Sequence, residues 1–284
     1  MSNRVRKCVF PVAGLGTRLL PATKSIPKEL LTIVDRPLIQ YAVDEAREAG
    51  IEEMIFVTGR GKSTLVDYFD VAFELEAAMG KAGKSLDPLE PARARVGEIV
   101  SVRQQQPLGL GHAVWCARHI VGDEPFAVSL PDDLMIPGAL RQMVEAWERV
   151  GGNLVATEEV PQEKTKSYGI ITPGNSEGDL TEVLGLVEKP EPQVAPSRLG
   201  VIGRYILQPE VMRVLDAGET GEGGEIQLTD AMAKLIGKQP FHALKVDSVR
   251  YDCGDKAGFV IANLALALQR DDIAPKVREF IGRL

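Results

Sequence analysis

Gly14-Leu15-Gly16-Thr17-Arg18 follows an apolar, strand-like run, and Lys24 and Lys28 stand close behind it on a segment stiffened by Pro21 and Pro27. Glycines in such a turn let backbone amides surround phosphate oxygens without side-chain obstruction. Fixed cations beside them suit a triphosphate. The competing interpretation is a solvated basic loop, since most surface charges do nothing specific. Two related phosphate patterns fail. A dinucleotide fingerprint needs Gly or Ala where Leu19 stands, and Gly61-Lys62-Ser63 ends like a P-loop whose upstream glycine falls on Phe56. Asp132 follows the apolar run Phe126 to Leu130, which puts it at the carboxyl end of a strand, where ligands of open α/β sheets bind. Mg²⁺ prefers few carboxylates and several phosphate or water oxygens, so one or two aspartates from distant segments would satisfy it. Asp133 competes with Asp132, because neighbours on an extended strand point to opposite faces. His112, His119 and His242 are poor acid–base candidates in their glycine-rich and apolar contexts.

The elements that must position these groups are legible from periodicity. Lys7 to Val12 is β-rich. Pro37 opens a helical pattern (Leu38, Ile39, Ala42, Val43, Ala46) closed by Gly50, and Met54 to Thr58 is the next strand. Strand, helix, strand with near-continuous apolar strands predicts a βαβ unit in a largely parallel sheet covered on both faces. The alternation continues with a helix from about Lys62 to Gly80, a strand at Ile99 to Val102, a helix from Gly111 to His119, a strand at Phe126 to Leu130 and a helix from Pro137 to Val150. Beyond it, Asn153 to Glu158, Tyr168 to Thr172, Leu180 to Glu188 and Leu199 to Leu207 predict antiparallel additions. Lys256 to Gln269 and Ala274 to Leu284 are helical patterns whose apolar residues (Ile273, Val277, Phe280, Ile281, Leu284) need cover from the body or a second subunit.

The 284 residues can bury a large core, as one domain or a domain with an appendage. A net charge of -7 argues against a nucleic-acid surface, so any nucleotide partner should be small. No apolar run approaches the roughly 20 residues that cross a bilayer, and the stretch after Met1 to Lys7 is not a signal-peptide core. A cytoplasmic protein without membrane contact is expected. Cys8, Cys116 and Cys253 lie far apart and form no CxxC pair, which predicts buried thiols.

Val12-Ala13-Gly14-Leu15-Gly16-Thr17-Arg18, Pro21-Ala22-Thr23-Lys24 and Pro27-Lys28-Glu29 closely resemble the signature of bacterial UTP:glucose-1-phosphate uridylyltransferases, within the wider sugar nucleotidylyltransferases. The resemblance continues in order through Phe73-Glu74-Leu75-Glu76, Gly109-Leu110-Gly111-His112-Ala113-Val114, Leu130-Pro131-Asp132, Tyr168-Gly169, Val187-Glu188-Lys189-Pro190, Gly203-Arg204-Tyr205, Glu225 to Asp230 and Asp252-Cys253-Gly254. It implies an α/β, Rossmann-like nucleotidyltransferase fold: a central mixed, mostly parallel sheet flanked by helices, one domain over residues 1–284, with 255–284 as a C-terminal helical segment open to an oligomer contact. The implied reaction joins UTP and glucose-1-phosphate into UDP-glucose and pyrophosphate, in a homodimer or homotetramer.

In that chemistry a sugar-phosphate oxygen attacks the α-phosphorus in line. The nucleophile is already an anion, so catalysis is alignment plus charge neutralisation and needs no general base. The resemblance makes Asp132 and Asp252 the Mg²⁺ pair and favours Asp132 over Asp133. It gives Glu188 to the sugar hydroxyls and Lys189 to the sugar phosphate, and it puts Tyr168, Gly169 and Gly203 along the glucose pocket. Arg18 and Lys28 are assigned to the triphosphate, with Lys28 nearest the reacting phosphate and Gly16 and Thr17 in the same loop. Uracil needs an acceptor for N3–H and donors for its carbonyls, which Ala13 and Gly14 backbone groups plus an amide could supply. Gln104, Gln105 and Gln106 all offer that amide. The resemblance favours Gln105, with Gly111 under the ring, and Glu29 is a candidate partner of the ribose or base. Thymidylyl transfer on the same fold and a catalytically silent sugar-nucleotide-binding subunit are the alternatives.

Overall fold

Apolar runs bounded by glycine, proline and polar turns become thirteen strands among residues 4–283, the span that the computed structural model describes. Met1 to Asn3 and Leu284, at the ends of two predicted segments, lie outside the described residues. The strands are β1 (Lys7–Pro11), β2 (Thr32–Ile33), β3 (Arg36–Pro37), β4 (Glu53–Thr58), β5 (Ile99–Arg103), β6 (Phe126–Ser129), β7 (Asp133–Ile136), β8 (Asn153–Glu159), β9 (Gly169–Glu177), β10 (Leu180–Glu188), β11 (Leu199–Leu207), β12 (Phe241–Lys245) and β13 (Val249–Asp252).

Nine of them form one mixed sheet in the order β5-β4-β1-β6-β11-β8-β12-β10-β9. The first four are mutually parallel, as the βαβ pattern requires. β11 then enters antiparallel to β6 and β8, and β10 joins β12 and β9 antiparallel, where the polar-turn spacing predicts such additions. Side chains alternate between two cores. Cys8, Phe10, Met54 and Phe56 face the helices Leu38–Glu48 and Leu140–Val150. Val9, Ile55, Val57 and Val128 face the helices Leu110–Cys116, Glu210–Asp216 and Leu228–Ala233. Phe56 meets Phe10 and Phe69 edge to face, and truncating a ring so placed costs about 3–5 kcal/mol.

A small third core sets the site. Ile33, Leu38, Leu134, Cys253, Ala262 and Leu266 pack the β7–β13 ladder against the helix Lys256–Ala267, and the ladder pairs Asp252 with Asp133. Neither strand was predicted. Leu134 follows the acidic pair without a turn signal, and its partner strand is remote in sequence.

Two helices differ from expectation. The predicted helix Lys62 to Gly80 is two pieces, Thr64–Asp67 and Phe73–Lys81, because Leu65 and Phe69 reach the core while Phe73 and Leu75 are exposed, so no continuous apolar stripe spans the segment. The predicted helix Gly111 to His119 runs Leu110–Cys116 and resumes at Arg118–Val121. All three cysteines are free, with Cys8 and Cys253 buried and Cys116 half-buried. No helix among the described residues is long and apolar enough to cross a membrane.

Candidate functional site

The turn Leu130 to Asp133 leaves the end of β6 and is held from several sides. Leu130 N donates to Gly203 O (2.9 Å), Asp133 N donates to Leu130 O (3.1 Å), and Cys253 N donates to Asp132 O (2.8 Å). The buried Arg204 guanidinium donates to the carbonyls of Leu130 and Asp133 (both 2.9 Å) while forming a fork with the Glu45 carboxylate (Nη2–Oε2 2.7 Å, Nε–Oε1 3.0 Å). Glu45 Oε1 also accepts from Ala139 N and Leu140 N at the start of the next helix. A buried charge this fully bonded is costly to break and fixes the backbone around it.

That backbone aims the two aspartates apart, as extended neighbours must. Asp132 meets Lys28, with Nζ to Oδ2 at 2.5 Å. Asp133 turns inward: its Oδ2 accepts from Gly203 N (3.0 Å) and its Oδ1 from Arg250 Nε (2.8 Å). Asp133 is therefore part of the wall, and Asp132 is the acid that faces the glycine turn. Asp252 arrives through the β13–β7 pairing and closes on Gly254 N (3.0 Å). A side chain on Gly254 would begin 2.8 Å from Arg18 Nη2, 3.0 Å from Asp252 Oδ1 and 3.1 Å from Asp132 Oδ2. The two carboxylates and the arginine thus converge on one bare glycine. No cluster of three or more His, Cys, Asp or Glu suited to a metal occurs among the described residues. Two converging carboxylate oxygens with room for phosphate and water oxygens fit a hard cation such as Mg²⁺.

Electrostatics follow from these contacts. Burial pushes the Asp132 carboxyl up, but the Lys28 charge and hydrogen bond, with Arg18, more than offset it and hold the group below its ordinary value. Lys28 is raised in turn: burial disfavours its charge, and Asp132 and Glu29 outweigh burial. Glu29 lies at 1% exposure, paired with Lys62 (2.9 Å), and its Oε1 has no hydrogen-bond partner among the described residues. Burial shifts both members of that pair toward neutrality.

Beside the carboxylates lies a cavity of about 460 Å³ whose lining includes Arg18, Asp132, Asp252, Tyr168, Gly169, Glu188 and Gly203. Tyr168, Gly169 and Glu188 come together because β10 pairs Glu188 with Gly169. At Gly203 a Cβ would meet Asp133 Oδ2 at 2.6 Å, so the glycine is required by the acid beneath it. Lys189 follows Glu188 with φ 45°, a left-handed conformation uncommon for a side-chain-bearing residue, and its Nζ lies 3.3 Å from Glu188 Oε1.

On the glycine turn, Gly14, Leu15, Thr17 and Arg18 are exposed, and Gly16 takes φ 67° with its carbonyl accepting from Thr23 Oγ1 (2.7 Å). Val12 N donates to Val57 O and Gln104 N to Thr58 O, so Ala13, Gly59 and Gln104 stand in one row just beyond three parallel strand ends. Alternation turns this row to the face that carries the helix Leu110–Cys116. Gln105 is exposed and borders a different hollow with Arg103, Gln106, His112, Trp115, Cys116 and Arg118. Gly111 is buried against the chain, its N donating to Ile226 O (2.8 Å), where a Cβ would sit 2.7 Å from that oxygen.

The pattern of the nucleotidyl transferase family matches residues 9–268. A UTP–glucose-1-phosphate uridylyltransferase of Komagataeibacter xylinus is 53% identical over 260 residues, 90% of this chain and 92% of that one. The chain belongs to the nucleotidyl transferase family, among the bacterial UTP–glucose-1-phosphate uridylyltransferases. A solved UTP-bound enzyme of this kind from Acinetobacter baumannii superposes with a TM-score of 0.89 at 42% identity, covering 99% of each chain. A UDP-glucose pyrophosphorylase complexed with UDP-glucose superposes with a TM-score of 0.83 at 43% identity, covering 94% of this chain and 100% of that one.

Within this nucleotidyl transferase, sequence reasoning missed Arg250. Its guanidinium joins Asp133 (Nη2–Oδ1 2.6 Å), Glu158 (2.6 Å) and the Tyr168 hydroxyl (3.1 Å), and it lines the cavity beside the two carboxylates. The one sequence signal was Asp133, a second acid that needed a cation. Lys62 was dismissed with the failed P-loop pattern, yet it is the partner of Glu29.

Proposed function

We propose that this chain joins UTP and α-D-glucose-1-phosphate into UDP-glucose, releasing pyrophosphate. The observation that carries the reading is the convergence of Lys28, Arg18, Asp132 and Asp252 between an exposed glycine turn and a walled polar cavity. The sugar-phosphate oxygen forms a bond to the α-phosphorus, and the bond from that phosphorus to the bridging oxygen breaks, so pyrophosphate carries away the electron pair. Both partners are anions, so the work of the protein is to hold them in line against repulsion. Lys28 neutralises the reacting phosphate and Arg18 the triphosphate tail, while Ala13, Gly14, Gly16 and Thr17 offer backbone groups to the nucleotide. Glu188 takes the glucose hydroxyls beside Tyr168, Gly169 and Gly203, and Lys189 exchanges its contact with Glu188 for the sugar phosphate.

Asp132 and Asp252 would hold Mg²⁺, which when bound supplies further charge neutralisation at the phosphates. Glu29, buried against Lys62, serves the ribose or base only through a rearrangement of that pair. The row of Ala13, Gly59 and Gln104 favours Gln104 over Gln105 as the amide that meets uracil, and the tight packing of Gly111 favours a supporting role over direct contact. The exposed Val260, Ile261, Leu264 and Phe280 on the last two helices support a homodimer or homotetramer. A cytoplasmic location without nucleic-acid or membrane partners suits the charge and the small substrates.

Pyrophosphate release across a panel of nucleoside triphosphates and sugar phosphates, with and without Mg²⁺, tests the reading. Turnover with UTP and glucose-1-phosphate that requires the cation is expected. Preference for dTTP would move the chain to thymidylyl transfer, and UTP binding without pyrophosphate release would make it a silent subunit.

A further inference from the structure

His112 takes no part in the reaction proposed above, and yet it touches the amide assigned to the base. Gln104 Nε2 lies 3.0 Å from Gly109 O and 3.0 Å from His112 Nδ1. A backbone carbonyl only accepts, so the amide nitrogen, and not its oxygen, must face Gly109. The second amide hydrogen then points at Nδ1, which can accept it only when the imidazole is neutral and carries its proton on Nε2. Both hydrogens are thereby committed, and Oε1 has no protein partner among the described residues.

The imidazole is itself held. It stacks on Trp115 with ring centroids 5.7 Å apart and 24° between planes, and Arg118 caps the Trp115 ring at 3.5 Å. Trp115 Nε1 donates to Asp216 Oδ1 at 3.0 Å, which anchors the stack to the neighbouring helix. Burial lowers the His112 pKa, the Gln106 carbonyl opposes this, and the Arg118 charge lowers it further, leaving the ring neutral near pH 7.

We propose that His112 is a positioning residue that fixes the Gln104 amide with its oxygen toward the base, and so selects a pyrimidine bearing N3–H. Uracil and thymine donate at N3, whereas cytosine presents a lone pair there and would meet a second acceptor. Without the Nδ1 acceptor one of the two bonds that hold the nitrogen inward is lost, and only the Gly109 carbonyl still opposes the turn that would present the nitrogen to cytosine. This inference deepens the uridylyl-transfer reading and rests on it.

The test is steady-state pyrophosphate release by the wild-type enzyme, His112→Ala and His112→Asn with UTP, dTTP and CTP at saturating glucose-1-phosphate. Asn is included because its Oδ1 can stand where Nδ1 stood. For His112→Ala the KM for UTP should rise about 3- to 10-fold, the effect of one neutral hydrogen bond. The UTP to CTP ratio of kcat/KM should fall by a similar factor, with the UTP to dTTP ratio and the KM for glucose-1-phosphate unchanged. His112→Asn should restore the UTP to CTP ratio. An unchanged UTP to CTP ratio in His112→Ala, or a His112→Asn enzyme no better than His112→Ala, overturns the role of His112 while leaving uridylyl transfer intact. A wild-type enzyme inactive with UTP overturns both.

Discussion

Gly14, Leu15, Thr17 and Arg18 stand in solvent on a turn with few side-chain anchors, whereas Asp133, Gly203 and Arg204 across the site are buried and bonded on every side. The two halves are therefore built differently. One is a finished wall, proposed to take the sugar: the Asp133–Arg250 pair, the Arg204–Glu45 fork and the β10–β9 pairing set its shape. The other half, proposed to take the nucleotide, presents an exposed glycine turn with bare amides and the cations Arg18 and Lys28. Lys28 bridges the halves by pairing with Asp132. Under the proposed function, preorganisation is concentrated where a neutral, hydroxyl-rich ring must be placed, and is relaxed where Coulomb attraction can do the placing.

Removing the keystone of the walled half should have the largest effect. Arg250→Met leaves Asp133 buried without its cation and should cost about 3–5 kcal/mol of stability by denaturant titration. A loss below 1 kcal/mol would show that the wall does not depend on that pair. Asp132→Asn should lower kcat by about 10²- to 10³-fold, the range for losing one element of transition-state charge stabilisation. Near-normal turnover at saturating Mg²⁺ would remove Asp132 from the metal site.

Lys189→Ala should separate the halves kinetically, raising the KM for glucose-1-phosphate about tenfold, worth roughly 1.4 kcal/mol, while the KM for UTP stays within a factor of two. An equal rise for UTP would merge the two subsites. On the nucleotide side, Gln104→Ala should raise the KM for UTP about 3- to 10-fold and Gln105→Ala should not, the reverse outcome returning the base contact to Gln105.

The smallest effect lies away from both halves, at Glu98. Arg47 hydrogen bonds hold its carboxyl below the usual range (Nε–Oε1 2.8 Å, Nη2–Oε2 2.9 Å). Because the folded pKa is depressed, its stabilisation is complete above the unfolded value of about 4.3 and disappears as pH falls through the lower folded value. Glu98→Gln should cost about 1 kcal/mol at pH 7 and flatten the acid limb of the stability curve below the unfolded value. An unchanged acid limb would discount the pair.

The walled and open halves were unequally legible in the sequence. Apolar runs bounded by polar turns located β10 and β11 to the residue, and a helical apolar period located the helix from Leu38, because local sequence carries those signals even where β10 shifts register and β11 is buried along nearly its whole length. The glycine turn and Lys28 could be read because local spacing carries them. The β7–β13 ladder could not, since it pairs remote segments with no turn between them, so Asp252 was reachable only through family resemblance. Arg250 and Lys62 escaped for the same reason: each is defined by an acid far away in sequence. The proposed preference for Gln104 over Gln105 rests on strand parity at the sheet edge, which a loop sequence does not express.

The most direct test is a crystal of the protein grown with UDP-glucose and Mn²⁺ in place of Mg²⁺, with the metal located by its anomalous signal. The expected result is a peak bound by Asp132 and Asp252 at about 2.1 Å, the distance typical of Mg²⁺ sites, with glucose inside the cavity walled by Glu188 and Gly203 and uracil beside Gln104. A metal bound elsewhere, or glucose outside that cavity, would contradict it.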